Sequence, residues 1–538
     1  MRRSVSAIAI ALGAILAGCS GSPPTIASAQ PARVQGATDV GAVDGDQVID
    51  FVIALKLRAP AQEINRLLLS QADPGSSQYR RFLTPAEFGA RFGATDADFQ
   101  RVLAWATAHH LTVNRPSQNH TTVSLSGRAA DVAQAFGTEL RLWRDADGTF
   151  RAPSGALAPS GIGDLLGGVV GLDDANHWFS HRVQPTPTPD AAGGTLGPPE
   201  LTTMYNVPPS AGAGTTVAIL GTGYPPSLKE DVDGYITKFA LPTKRFAQYT
   251  QVFVGGPDRD DDALSNNEYG ENLLDVDMAL GIAPLANVIH VFTATNAPGL
   301  FADGIDFIVN NVPQAHAVSV SFGSCERYAG SEASTLNTLF QQAELEGQEW
   351  FFASGDDGTD GCKDGRPNKI LAVDWPASSP WVMGVGGTQL TGSTEQAWSA
   401  GGGGQSELFD KPIWQSGVGP YASDAVRDVP DIAAMAGNPG VATYAQGQTF
   451  ASEGTSAATP IWTAIWGLLD AAKGGNGLPS PHATLYQIGQ SAGATAFHDI
   501  TSGNNSAGVT AGFPAQAGYD LATGWGSPDL TNLIANWP

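Results

Sequence analysis

Between about residues 215 and 385, short apolar runs alternate with longer segments of helical period, and this alternation sharply narrows the folds open to the chain. Thr215–Leu220, Val288–Phe292, Ala317–Ser321, Glu349–Ser354 and Trp381–Val385 read as buried strands. Asp231–Phe239, Glu268–Leu280, Leu300–Asn310 and Thr335–Glu346 read as the helices between them. Strands that are apolar on both faces need a helix layer on each side. The pattern therefore predicts an α/β domain with a largely parallel sheet flanked by helices, whose functional groups collect at strand ends.

The front of the chain has a different rhythm. Ala61–Gln71 carries Ile64, Leu67 and Leu68 at helical spacing, and Thr84-Pro85-Ala86-Glu87 reads as a capping box with proline at the first helical position. Phe99–Ala108 and Ala129–Phe136 read as helices and Thr121–Leu125 as a strand, a smaller α+β domain over residues 45–182. His109, His110 and His120 lack metal-ligand spacing and read as surface or turn residues. Pro- and Gly-rich residues 183–197 form an exposed, cleavable connector, and residues 198–538 form the larger domain.

Arg2 and Arg3 precede an apolar stretch, Ala7–Ala17, that is too short for a stable membrane anchor, so residues 1–19 read as an export signal. Leu16-Ala17-Gly18-Cys19 resembles a bacterial lipoprotein box, which makes Cys19 a candidate for lipidation before a tether at 20–44; Ala27-Ser28-Ala29 is a rival cleavage site. The expected location is extracytoplasmic or secreted. With Cys19 acylated, Cys325 and Cys362 remain, either as a disulfide, which export favours, or as two buried thiols. The net charge of −24, from 52 acidic and 28 basic residues, argues against nucleic-acid binding. It suits a protein working in acid, where protonation relieves self-repulsion, and equally any acidic exported protein.

The chemistry-bearing residues lie in three places. Ser456 sits in Gly454-Thr455-Ser456, just before an apolar helical run, where helix N–H groups favour negative charge. Glu271 and Asp275 are four apart among Leu273, Leu274, Val276 and Met278, so both carboxyls share one face of a largely buried helix and titrate as a coupled pair. Asp356 ends the Trp350–Asp356 strand beside glycines. A helix cap, a solvated acidic face and a turn aspartate are the plain structural readings of these three features. His290 lies within a strand, His316 in a loop and His482 beside Pro481, so no histidine presents itself as the base of a Ser-His-Asp triad.

Glu271-Asn272-Leu273-Leu274-Asp275, Phe352-Ala353-Ser354-Gly355-Asp356 and Gly454-Thr455-Ser456-Ala457-Ala458-Thr459-Pro460 resemble, in order, the three catalytic blocks of the sedolisin family of serine-carboxyl peptidases. Gly401–Gly404, Arg427–Ala434 and the Tyr79–Phe88 region resemble other family segments, the last belonging to the activation prodomain. Glu453 departs from the Ser or Gly that many members carry at that position. The resemblance implies a subtilisin-like catalytic domain made as a zymogen. It implies Ser456 as nucleophile, Glu271 as general base, Asp275 as its support and Asp356 as a protonated oxyanion donor, hence an acidic optimum. It also implies one structural calcium, held by the side chains of Asp499 and Asp520 and the backbone oxygens of Ile500, Gln516 and Gly518. Asp258–Asp262, by contrast, fails the EF-hand pattern at Ala263 and Tyr269. The implied partners are peptide or protein substrates and the chain's own prodomain as inhibitor, with the enzyme acting as a monomer. An inactive peptide-binding homologue, an envelope-binding lipoprotein and a neutral subtilisin-type protease are the rival readings.

Overall fold

The computed structural model describes residues 32–538, apart from 147, 177, 182, 188–193, 209–210, 224–225, 243–247, 256–266, 363–370 and 508–510. Cys19 with its export signal, and the Asp258–Asp262 loop, lie outside the described residues.

The large domain is built on an eight-stranded sheet. Tyr249–Val254, Asn287–Thr293, Thr216–Thr222, Ala317–Val320, Glu349–Ala353 and Met383–Thr391 lie side by side in that order, all parallel. Thr394–Ala397 returns antiparallel at one edge, and Ile432–Met435 pairs parallel with Met383–Thr391. Alternation along a strand decides which layer each residue joins. In Thr216–Thr222, Val217 and Ile219 enter a core with Leu273, Leu274, Ile461 and Trp462, while Ala218 and Leu220 enter the opposite core with Phe301, Ile305, Leu336 and Phe340. The helices Asn267–Ile282 and Thr455–Ala472 thus cover one face, and Pro298–Asn311 and Gly330–Leu345 the other.

Helices and strands fall close to the spans expected from periodicity. The Tyr249–Val254 strand was not anticipated, because at the sheet edge it keeps Thr250 and Gln251 and is only part-buried. Pro481–Ala496 is a further helix outside the predicted set.

The front domain places Thr112–Pro116, Thr122–Arg128, Val48–Leu55 and Leu166–Val170 in an antiparallel sheet. The capping box forms: Thr84 Oγ1 accepts from the Glu87 amide and Glu87 accepts from the Thr84 amide at 2.8 Å. Part of the expected tether is structured, since Thr38–Ala42 pairs with Leu140–Asp145 and Arg33 is buried against Asp145 at 2.6 Å. The two domains meet along both apolar and polar contacts: Val52 and Val170 share a core with Phe301 and Leu336, and Phe88 and Phe92 one with Leu345. Arg115 pairs with Asp303 and reaches Asp306 at 2.7 Å, and the Leu83 amide donates to the Leu345 carbonyl at 3.0 Å.

Candidate active site

Ser456 stands in the first turn of the Thr455–Ala472 helix, where backbone N–H groups have no partner inside the helix. Gly454, with φ at +132°, makes the turn that delivers it, a conformation costly for any residue with a side chain. Four residues on, Pro460 has no N–H to give back to Ser456, so the Ser456 carbonyl instead accepts from Ser321 Oγ at 3.4 Å. Ser456 Oγ donates to the Ser321 carbonyl at 3.3 Å. Among the described residues no imidazole is hydrogen-bonded to that hydroxyl.

Glu271 and Asp275 both project from the Asn267–Ile282 helix and are fully buried, as is Ser456. Ser321 Oγ also lies 2.5 Å from Asp275 Oδ1, the shorter of the two contacts that share its single proton, so one serine bridges the acidic helix and the Ser456 turn. Burial, and then the neighbouring Glu271 charge, push the Asp275 carboxyl well above its ordinary range against the opposing Ser321 hydrogen bond. Asp356 caps the end of the Glu349–Ala353 strand, and its Oδ1 accepts from both the amide and the hydroxyl of Thr455 at 2.8 Å. Its Oδ2 is enclosed and meets no donor among the described residues. Burial also drives Asp356 well upward; the Thr455 bonds oppose this and the Glu271 charge adds to it. The Ser456 turn is thus joined to two buried acids, to Asp275 through Ser321 and to Asp356 through Thr455, and both acids feel the Glu271 charge.

The chain that leaves the front domain enters this site. Phe179–Ser180 pairs antiparallel with Phe322–Cys325, and the Ser456 amide donates to the His181 carbonyl at 3.1 Å. Val183–Pro187 then pairs antiparallel with Gln448–Glu453, setting the atypical Glu453 opposite Val183.

Comparison with known proteins supplies the family. Residues 35–175 match the model of the Pro-kumamolisin activation domain, and residues 262–526 that of the subtilase family. The chain is 33% identical to kumamolisin from Bacillus sp. (strain MN-32), over 93% of each chain. It is 31% identical to sedolisin from Pseudomonas sp. (strain 101), over 90% of this chain and 86% of that one. It belongs to the sedolisin family of serine-carboxyl peptidases. The solved Pseudomonas sedolisin, complexed with two molecules of pseudo-iodotyrostatin, superposes with a TM-score of 0.57 at 30% identity and covers 64% of this chain and 98% of its own. This sedolisin-family chain is therefore a serine-type peptidase of subtilisin-like fold, made with an activation prodomain.

The family's expected calcium residues converge on one loop. Asp499 accepts from the Gly518 amide at 3.1 Å and Asp520 Oδ2 from the Gln516 amide at 2.8 Å, while Ile500 follows Asp499 directly. Among the described residues no group of three or more His, Cys, Asp or Glu side chains is arranged to hold a metal. The remaining oxygens would have to be backbone carbonyls, a donor set that suits calcium. Cys325 and Cys362 are joined as a disulfide with their Cα atoms 4.5 Å apart, at the end of the strand that receives Phe179 and Ser180. Sequence reasoning missed Ser321, Thr455 and His181. Ser321 ends a predicted strand and Thr455 adjoins the nucleophile, but nothing in a single sequence says which hydroxyl faces which carboxyl.

Proposed function

We propose that this peptidase is an exported, acid-acting endopeptidase in which Ser456 is the nucleophile, Glu271 the general base and Asp356 the oxyanion donor. The observation that carries this reading is the burial of three carboxyl groups around a serine that has no imidazole partner among the described residues. Glu271 takes the Ser456 proton as Oγ attacks the scissile carbonyl, then returns it to the leaving nitrogen; water repeats the cycle on the acyl-enzyme. Asp275, fixed by Ser321, holds Glu271 in place. The oxyanion receives the Ser456 amide and the Asp356 proton, and because an ionised Asp356 would repel it, the reaction belongs to acid.

In this reading the prodomain occupies the cleft until self-cleavage in acid separates it. Calcium, bound by Asp499, Asp520 and the carbonyls of Ile500, Gln516 and Gly518, supplies structural cross-linking of the C-terminal loop and no chemistry. Chelation should then lower the Tm of the mature enzyme, and an unchanged Tm would remove the ion from the account. Export through residues 1–19 delivers the protein to the acidic medium, with Cys19 acylated; Cys19→Ser should move the precursor out of the membrane fraction. The enzyme acts as a monomer.

The deciding experiment incubates purified precursor across acidic pH and follows its mass. Wild type should convert to a mature form that digests protein. Ser456→Ala and Glu271→Gln should stay intact while keeping the wild-type circular dichroism spectrum. A precursor that stays inert at every pH, or a rate that peaks near neutrality, would overturn the proposal.

A further inference from the structure

Glu453 has no part in the catalytic chemistry, yet it lies three residues before the nucleophile, where many members of the family carry Ser or Gly. It ends the Gln448–Glu453 strand. Along that strand Phe450 enters the core and Ser452 Oγ lies 2.8 Å from Thr443 Oγ1, while Thr449, Ala451 and Glu453 share the less buried face. The Glu453 carboxyl is half-buried there. No cation among the described residues pairs with it, and burial alone lifts the acid above its ordinary range. A carboxylate drawn partly out of water without a partner is disfavoured, and an incoming cation relieves that cost.

The outer edge of this strand accepts an extended chain. The Val183–Pro187 backbone pairs with it antiparallel, with Phe450 opposite Pro187, Ala451 opposite Thr186 and, past an irregularity, Glu453 opposite Val183. Strand addition of this kind holds a peptide by its main chain and leaves side chains to supply the selection. Residues directly opposite in an antiparallel pair put their side chains on one face, with Cβ atoms about 4.5–5.5 Å apart. The register relative to the nucleophile is set by the Ser456 amide, which donates to the His181 carbonyl at 3.1 Å. A substrate carbonyl in that place is the one open to attack. A peptide in this register therefore sets the second residue past its scissile bond opposite Glu453.

We infer that Glu453 selects substrates that carry Lys or Arg as the second residue on the leaving-group side of the scissile bond. The inference rests on the peptidase reading above and concerns separate peptide substrates. A basic side chain at that position brings its charge onto the Glu453 face, and arginine can engage both carboxylate oxygens. The cation favours the ionised carboxyl and so opposes the effect of burial. An acidic side chain at the same position meets like charge and is rejected.

The test gives the mature enzyme a degenerate peptide library with blocked N-termini, so that pooled N-terminal sequencing reads only leaving-group fragments. The second cycle then reports the residue opposite Glu453. The digest is run near about pH 5, where exposed carboxyls are ionised. For wild type the second cycle should show Lys and Arg enriched about threefold over Leu and about tenfold over Glu, relative to the uncut library. Glu453→Gln keeps the size and removes the charge, and should bring both ratios close to one. Glu453→Lys should invert the preference toward Asp and Glu. The ratios are internal to each preparation, so partial misfolding does not disturb them, and Glu453→Gln decides the matter if Glu453→Lys does not fold. A wild-type second cycle without a preference for cations, or a preference that survives Glu453→Gln, overturns the inference. A library that wild type leaves uncut overturns the peptidase reading instead.

Discussion

At the scale of single residues, the proposed mechanism makes Asp356 the group on which the pH dependence turns. Its acid is raised well above the usual range by burial, and its Oδ1 is committed to Thr455. Activity should therefore persist while Asp356 keeps its proton and fall as pH rises through its elevated pKa. In acid, where wild-type Asp356 holds its proton, Asp356→Ala should lower kcat by ~10²–10³, the usual cost of losing an oxyanion donor, and the deficit should shrink as pH rises. Asp356→Asn preserves the geometry, with the amide oxygen on Thr455 and the NH₂ toward the oxyanion, and it cannot ionise. It should retain more activity than the alanine variant and extend the profile toward neutrality. A pH–rate profile of the three enzymes checks this, and an Asn variant whose alkaline limb matches wild type would show that another group sets it.

At the scale of elements, helix starts and close approaches do the positioning. Gly299 opens the Pro298–Asn311 helix against the prodomain, where an added Cβ would lie 2.1 Å from the Asp50 carbonyl oxygen. Gly299→Ala should therefore act in opposite directions on the two forms. It should weaken inhibition of the mature enzyme by the isolated prodomain segment and lower the yield of folded precursor. In mature enzyme it should leave the helix as stable or up to ~1 kcal/mol more stable, from helix propensity. Inhibition constants and thermal melts read the two effects separately. The Cys325–Cys362 disulfide closes a separation of 37 residues at the end of the strand that pairs with Phe179 and Ser180. Replacing both cysteines by serine should cost about 2–4 kcal/mol in denaturant unfolding. A loss below ~1 kcal/mol would show that the surrounding packing already holds that strand.

At the scale of the whole molecule, buried acids set the pH at which the fold is most stable. Burial raises Asp173 and Asp303 to about 6, Glu344 and Glu395 to about 7 and Glu332 to about 8. Unfolded carboxyls titrate near ~4. Between ~4 and these raised values the folded chain binds more protons than the unfolded one, so stability falls as pH rises through that window. Asp39, Glu87 and Asp164 are shifted downward and contribute in the opposite sense, but they lie at the surface where solvent screens them; His181, His290 and His482, lowered by burial to about 4, 3 and 4, also oppose, and the raised buried acids outnumber them. The Tm should thus be higher near pH 4.5 than near pH 7.5, and calorimetry giving the reverse order would contradict this account. The net charge of −24 acts in the same direction, because acid reduces self-repulsion.

The sequence by itself determined the elements and the chemical types at the site. Apolar periodicity marked five of the sheet's strands, because burial on both faces leaves few alternatives. Helical spacing put Glu271 and Asp275 on one face, and the small-residue turn singled out Ser456. Only the tertiary structure decided which groups meet. Ser321 bridges Asp275 and Ser456, residues 46 and 135 positions away from it, and Thr455 meets Asp356 across 99. Such contacts depend on which strand lies beside which, and periodicity carries no information about strand order. The same limit hid the strand at Tyr249–Val254, whose edge position spares it the continuous apolar pattern. It also hid the path of Trp178–His181, whose place in the cleft follows from pairing with a strand more than a hundred residues later.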